Sequence, residues 1–216
     1  MIGRPALVGN VYGRYSKQPA LSPVRLARLF IRLIGRSVLP VLFQLKITSI
    51  DNFPRKDPVL VAGNHTAALE AVMLDVYFPP SIEMLSLADI PAERITEIAV
   101  DLCGVIPLRR GPYDRAAMRK ALGVLKQGGF IDLFPGGGIW QEGKKKALPG
   151  IAWVSVQFGA PVLLIGFNDT SGAMSAGLKF KHPKLTMPVG QVISPAKIPP
   201  QARHLKYLPD RSPAAG

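Results

Sequence analysis

Cysteine is nearly missing from this 216-residue chain: Cys103 stands alone. A disulfide framework and a cysteine cluster with zinc-ligand spacing are therefore both excluded. Histidine is almost as scarce, and His65, His182 and His204 lie too far apart to form a recognisable ligand motif, so no metal site is expected. Aromatic residues make up only 7% of the chain, which is thin for the stacking surfaces that hold single-stranded nucleic acid. Acidic residues are also in deficit, with 14 Asp and Glu against 27 Lys and Arg, a formal net charge of +13. Such a surface attracts polyanions. With the aromatic platforms lacking, an anionic bilayer surface is the expected partner and nucleic acid is not. A long unbroken apolar run is missing too: the best stretch, 26–45, is interrupted by Arg28, Arg32 and Arg36 and contains Pro40. It does not read as a membrane-spanning helix. The first residues carry no apolar core of a secretory signal.

What is present supports a folded domain. At 48% hydrophobic and 19% charged residues, the chain can bury a sizeable core, in one domain plus appendages. On an ideal helix Arg25, Arg28, Arg32 and Arg36 fall within roughly an 80° arc, while Leu26, Phe30, Leu33 and Ile34 occupy another face. Such a basic amphipathic helix either lies in the headgroup plane, with Phe30 and its apolar neighbours down and the arginines near lipid phosphates, or packs its apolar face on the protein's own core. The segment 38–45 continues the apolar character past Pro40 and suits a kinked second helix.

Beyond that region, short apolar runs alternate with helical patterns. Strands are expected at 45–50, 59–62, 82–87, 105–108, 130–134 and 162–167, and helices at 67–77, 91–102, 113–126 and 151–158. This alternation predicts an α/β domain with a central, largely parallel sheet flanked by helices, preceded by an N-terminal amphipathic helical membrane-contact region. The expected division is 1–44 for the basic helical region, 45–195 for the α/β domain with a short β extension at 179–193, and 196–216 for a proline-rich tail.

Residues 62–70 read AGNHTAALE. Two helical positions five apart point about 140° away from each other. His65 can therefore meet Glu70 only if it precedes the helix, with Thr66 as an N-cap candidate. In that arrangement the carboxylate fixes the imidazole tautomer and a general base results. A packed histidine with an unrelated glutamate nearby is the alternative on these residues alone.

Three further landmarks follow: GVIPLRR at 104–110, FPGGGIWQEGKKKALPG at 134–150 and GAPVLLIGF at 159–167. In this order and spacing the chain resembles the glycerolipid acyltransferase superfamily of lysophosphatidate acyltransferase type. That resemblance implies transfer of a fatty acyl chain from an acyl thioester to a glycerolipid hydroxyl such as that of lysophosphatidate. His65 would be the general base and Glu70 would stand where the family carries aspartate. Asn64, Arg109 and Arg110 would bind substrate, the arginines at an acceptor phosphate.

The third motif departs from the family, with Gly136 in place of its glutamate and Ile139 in place of its arginine. Gly136, Gly137 and Gly138 would offer backbone N–H groups to an anion or acyl carbonyl, with Glu142 a displaced acid. The Pro-Gly-Gly form is similar to that of diacylglycerol acyltransferase type 2 relatives, which implies a neutral acceptor as the alternative; a non-catalytic lipid-binding relative is another. Lys144 opens a lysine run that is read either as a solvated loop or as a contact for coenzyme A, an acidic carrier protein or headgroups. The resemblance implies no cofactor: acyl-CoA or acyl carrier protein enters as co-substrate. Cys103 is expected to be a packed residue rather than a nucleophile. A peripheral or monotopic place on the cytoplasmic face of a membrane is expected.

Overall fold

The computed structural model describes residues 23–54, 57–78, 82–87, 105–108, 114–136 and 150–195. Its centre is a seven-stranded sheet in the order β1-β7-β6-β2-β5-β3-β4. The strands are β1 (Gln44–Thr48), β2 (Leu60–Gly63), β3 (Ile82–Leu87), β4 (Val105–Leu108), β5 (Phe130–Leu133), β6 (Val162–Ile165) and β7 (Lys184–Ile193). Every neighbouring pair is parallel except β6 and β7.

Helices cover both faces, as the continuous apolar character of the inner strands requires. On one side α1 (Pro23–Leu42) and α2 (Leu69–Tyr77) enclose a core with Val59, Val61, Leu163, Ile165 and Met187. On the other, α3 (Arg115–Lys126) and α4 (Gly150–Phe158) pack over Leu60, Leu85, Ile106 and Ile131. Val59 and Val61 face one core while Leu60 faces the other, the period of two of a strand buried on both sides. Helix α3 begins where the Asp114 carboxylate accepts from the N–H groups of Ala116 and Ala117, both at 3.0 Å. It ends where Gly128 turns left-handed, with φ of 78°, and Gly129 N–H reaches back to the Val124 carbonyl.

Three expectations need correction. Helix α1 runs on through Pro40, and no kinked second helix follows it. Phe43 is instead buried against Gly177, and the Gln44 N–H bonds the Pro183 carbonyl, so the chain turns straight into β1. The C-terminal β segment is not an appended extension, because β7 lies inside the sheet between β1 and β6. A short helix that the apolar pattern did not suggest, α5 (Ala173–Leu178), precedes it. Thr66 is not the N-cap of α2, which starts three residues later with Ala68 at that position and no capping side chain. The helix expected at 91–102 lies outside the described residues.

Helix α1 docks by its basic face. Arg28 and Arg32 are buried, and the guanidinium of Arg28 forms two parallel bonds to Glu83, at 3.0 and 3.3 Å. Arg36 Nε donates to the Val76 carbonyl at 3.1 Å, and Gly35 lies against Val76, where a Cβ would come within 2.5 Å of Cγ2. The apolar face points outward, with Phe30 62% and Ile34 61% exposed. Lipid phosphates were expected at these arginines; Arg28 and Arg32 instead face acids of the protein's own body, Glu83 and Asp75. The side chain of Arg25 lies outside the described set.

Candidate active site

Strands β2, β5 and β6 are parallel neighbours, so their carboxyl ends share one rim. Sheets of this type place their sites there. Immediately after β2 come Asn64, His65 and Thr66; after β5 come Phe134, Pro135 and Gly136; after β6 come Phe167 and Thr170. The carboxyl-end residues of three strands thus converge although they are spread over about half the chain.

His65 stands in the turn before α2, outside helical geometry, and its Nδ1 donates to Glu70 Oε2 at 2.7 Å. Its ring stacks on Phe134, with centroids 4.0 Å apart and planes 12° from parallel. A Cβ on Gly63 would fall 2.7 Å from Phe167 Cε2 and 3.2 Å from Phe134 Cε1, so only glycine lets both rings close around the strand end. One ring nitrogen and one ring face are thereby fixed. Nε2, the other nitrogen, is the one left to exchange a proton.

Glu70 is fully buried, while the His65 side chain keeps 15% of its surface exposed. The buried carboxylate is heavily satisfied. Besides His65, it accepts from the Thr66 N–H at 2.9 and 3.0 Å, from Thr66 Oγ1 at 2.7 Å and from Thr170 Oγ1 at 2.6 Å. The two threonine hydroxyls are also 2.8 Å apart. Each has one proton to give, so two protons serve three contacts. Burial pushes the Glu70 carboxyl up, but the hydrogen bonds from His65, Thr170 and Thr66 outweigh it and hold the group below the ordinary carboxylate range. The longer glutamate thus lets the carboxylate reach these partners from the first turn of α2.

Asp132, on β5, is a second fully buried acid on this side of the sheet. Neither of its oxygens has a hydrogen-bond partner of good geometry among the described residues. Burial, with the nearby charge of Glu70 adding to it, pushes this carboxyl well above its ordinary value.

Asn64, expected as a substrate contact, holds the backbone of the rim with its side chain. Its amide donates to the Phe167 carbonyl and accepts from the Phe167 N–H, both at 2.7 Å. This reciprocal pair braces the turn after β2 against the end of β6. Gly136 lies on the rim beside Phe134. Arg109, Arg110, Gly137, Gly138, Glu142 and Lys144 lie outside the described residues. Thr66 and Thr170 were not singled out from the sequence. Thr170 is one hundred positions from Glu70, and a lone threonine after a strand carries no local signal of its role.

This constellation of a carboxylate-fixed histidine on a strand-end rim suits activation of a hydroxyl. A family model described as Acyltransferase matches residues 44–167, more than half of the chain. The chain belongs to the acyltransferase family. Within that family it is 28% identical over 128 residues to a 1-acyl-sn-glycerol-3-phosphate acyltransferase of Borreliella burgdorferi. That match covers 58% of this chain and 51% of the relative, so the acyltransferase described here spans about half the length of that relative. Its fold is similar to the crystal structure of the 1-acyl-sn-glycerophosphate (LPA) acyltransferase, PlsC, from Thermotoga maritima. The TM-score is 0.61 at 18% identity, covering 86% of this chain and 77% of that one. Among the described residues, no helix of this acyltransferase is long and apolar enough to cross a membrane.

Proposed function

We propose that this acyltransferase moves a fatty acyl chain from an acyl thioester to the free hydroxyl of lysophosphatidate at a membrane surface. The observation that carries the reading is the 2.7 Å contact between His65 Nδ1 and a Glu70 carboxylate that is itself locked by two threonines. With Nδ1–H held, Nε2 takes the proton from the acceptor hydroxyl as its oxygen attacks the thioester carbonyl carbon. The tetrahedral intermediate collapses with cleavage of the carbon–sulfur bond, and the imidazolium returns the proton to the departing thiolate. Glu70 stabilises the transient positive charge on the ring. No nucleophile of the protein is needed, because the thioester is already activated.

In this reading the glycine run from Gly136 to Gly138 supplies N–H groups to the developing oxyanion. Arg109 and Arg110 hold the acceptor phosphate, and Lys144 and Glu142 flank the donor. The donor is acyl-CoA or acyl carrier protein. The protein lies peripherally on the cytoplasmic face, with the outward apolar face of α1 in contact with the bilayer.

A second reading concerns the acceptor alone. Gly136 stands where a family glutamate is expected, which favours a neutral lipid alcohol. Labelled long-chain acyl-CoA, presented with lysophosphatidate, monoacylglycerol or diacylglycerol to wild type and His65→Ala, decides between them. Transfer to lysophosphatidate that falls about a thousandfold in the variant is expected. Transfer to neutral acceptors alone moves the assignment to the second reading. A His65→Ala protein at full rate refutes the base, and acyl-chain binding without any turnover identifies a relative that has lost the chemistry.

A further inference from the structure

The turn between α5 and β7 is unusual in three respects. Leu178 and Phe180 are 64% and 65% exposed, and Met174 beside them is also exposed. Phe180 and His182 have φ of 53° and 47°, a left-handed conformation that bulky residues rarely adopt and that glycine would take more easily. Lys179, Lys181 and Lys184 are exposed among them, and no acidic residue occurs between Asp169 and Asp210. Backbone strain that turns a large apolar side chain toward solvent persists where the surroundings or a ligand hold it.

The same turn adjoins the C-terminal end of α1. Gly177 packs against Phe43, the residue after the helix, and the Gln44 N–H bonds the Pro183 carbonyl at 3.0 Å. Val41, 55% exposed, lies two positions before Phe43. Lysines are at the turn, whereas the α1 arginines Arg28 and Arg32 are occupied inside the protein.

We propose that the α5–β7 turn is a second lipid-contact element, in which Leu178 and Phe180 enter the acyl boundary of an anionic bilayer while Lys179, Lys181 and Lys184 meet its phosphates. It rests on the membrane part of the proposed function and moves the electrostatic contact from the α1 arginines to these lysines. The chemistry suits a lipid surface: apolar tips shorter than a helix, flanked by cations, in a segment that itself carries no acid.

The test is co-sedimentation of the full chain with vesicles of phosphatidylcholine alone or mixed with phosphatidylglycerol. Four proteins are compared: wild type, Leu178→Ser with Phe180→Ser, Lys179→Gln with Lys181→Gln, and Phe30→Ser with Ile34→Ser on α1. The loop apolar pair is expected to lower partitioning about tenfold into both vesicles. The lysine pair is expected to lower it about twentyfold into the anionic vesicles only. As a second readout, a fluorophore on Phe180→Cys, in a Cys103→Ser background, shifts to the blue when anionic vesicles are added. Wild-type binding by both loop variants, with loss only in the α1 pair, overturns the proposal and leaves the α1 contact standing. Failure of wild type to sediment with either vesicle removes the membrane reading and this inference together, while leaving the transfer assay to stand or fall separately. Loop variants that instead convert a dimer to a monomer in sedimentation velocity identify a second copy as the occupant and overturn the lipid assignment.

Discussion

Two buried polar clusters, one at the carboxyl end of β2 and one under α1, are finished to different standards. At the carboxyl end of β2, Glu70 receives hydrogen bonds from an imidazole, a backbone N–H and two hydroxyls. Under α1, Arg28 is matched to Glu83, yet among the described residues one terminal nitrogen of Arg32 and one oxygen of Asp75 have no hydrogen-bond partner. Burial lowers the Arg32 pKa and raises that of Asp75, the signature of charges incompletely compensated. The Glu70 carboxylate is closed on all sides because an imidazole must be held in one tautomer and orientation, although Asp132 near it is left without a good partner among the described residues. The seam only has to attach a helix, and one bidentate pair with a close Gly35–Val76 contact suffices. Saturation of the Glu70 carboxylate thus accompanies the imidazole that it orients.

Removing the strongest element of the seam has the largest expected effect. Glu83→Ala takes away the carboxylate that Arg28 binds in a buried setting and should lower the unfolding free energy by about 3 kcal/mol. Urea denaturation measures it, and a change under about 1 kcal/mol would demote the pair to a surface contact. At the site, Glu70→Asp restores the family's residue but withdraws the carboxylate by about one 1.5 Å carbon–carbon bond. It is expected to lower kcat about thirtyfold, in contrast to the tolerance that the motif alone would suggest. An unchanged kcat would show that the threonines follow the shorter side chain.

Thr170→Val removes one bond to a charged group and should reduce stability by about 1.5 kcal/mol. Glu70 is held below its ordinary value of 4.5 only in the folded chain, so its contribution is complete above that pH and disappears as the pH falls through the folded value. On acidification below about 4.5 the variant should therefore lose less further stability than wild type, with the loss ending at a higher pH. An acid-unfolding profile superimposable on that of wild type would mean that Thr170 does not hold the carboxylate. The smallest effect is expected at Asp75, whose pKa is raised above 3.8 by burial despite Arg32 and Arg28. A raised acid weakens the fold as pH climbs from its unfolded value through its folded one. Asp75→Asn should gain on wild type over that interval and not below it, as denaturation at about pH 3 and about pH 7 would reveal. A pH-independent difference would mean that the seam is better compensated than its geometry implies.

Much of the framework was legible because it is written in local periodicity. Strands β3 and β4 lie where short apolar runs are bounded by turn residues, and α3 follows its helical pattern behind an Asp114 cap. His65 and Glu70 were also findable, because a spacing that fails on a helix demands a turn before it. Thr170 and the role of Asn64 were not, since each depends on the end of β6 lying beside the end of β2. The place of β7 inside the sheet was hidden for the same reason: periodicity marks a strand and carries no information about its neighbours.

Helix α1 divides the two sources of information most clearly. The sequence by itself determined that one face would be basic and another apolar, since spacing on a helix sets which side chains share a side. Which face turned inward was decided only by the tertiary structure. Glu83 on β3 and Asp75 on α2 place acids beneath the helix, and Gly35 lets it approach Val76 closely. The arginines were drawn in by partners distant in the chain, and the apolar face was left outward.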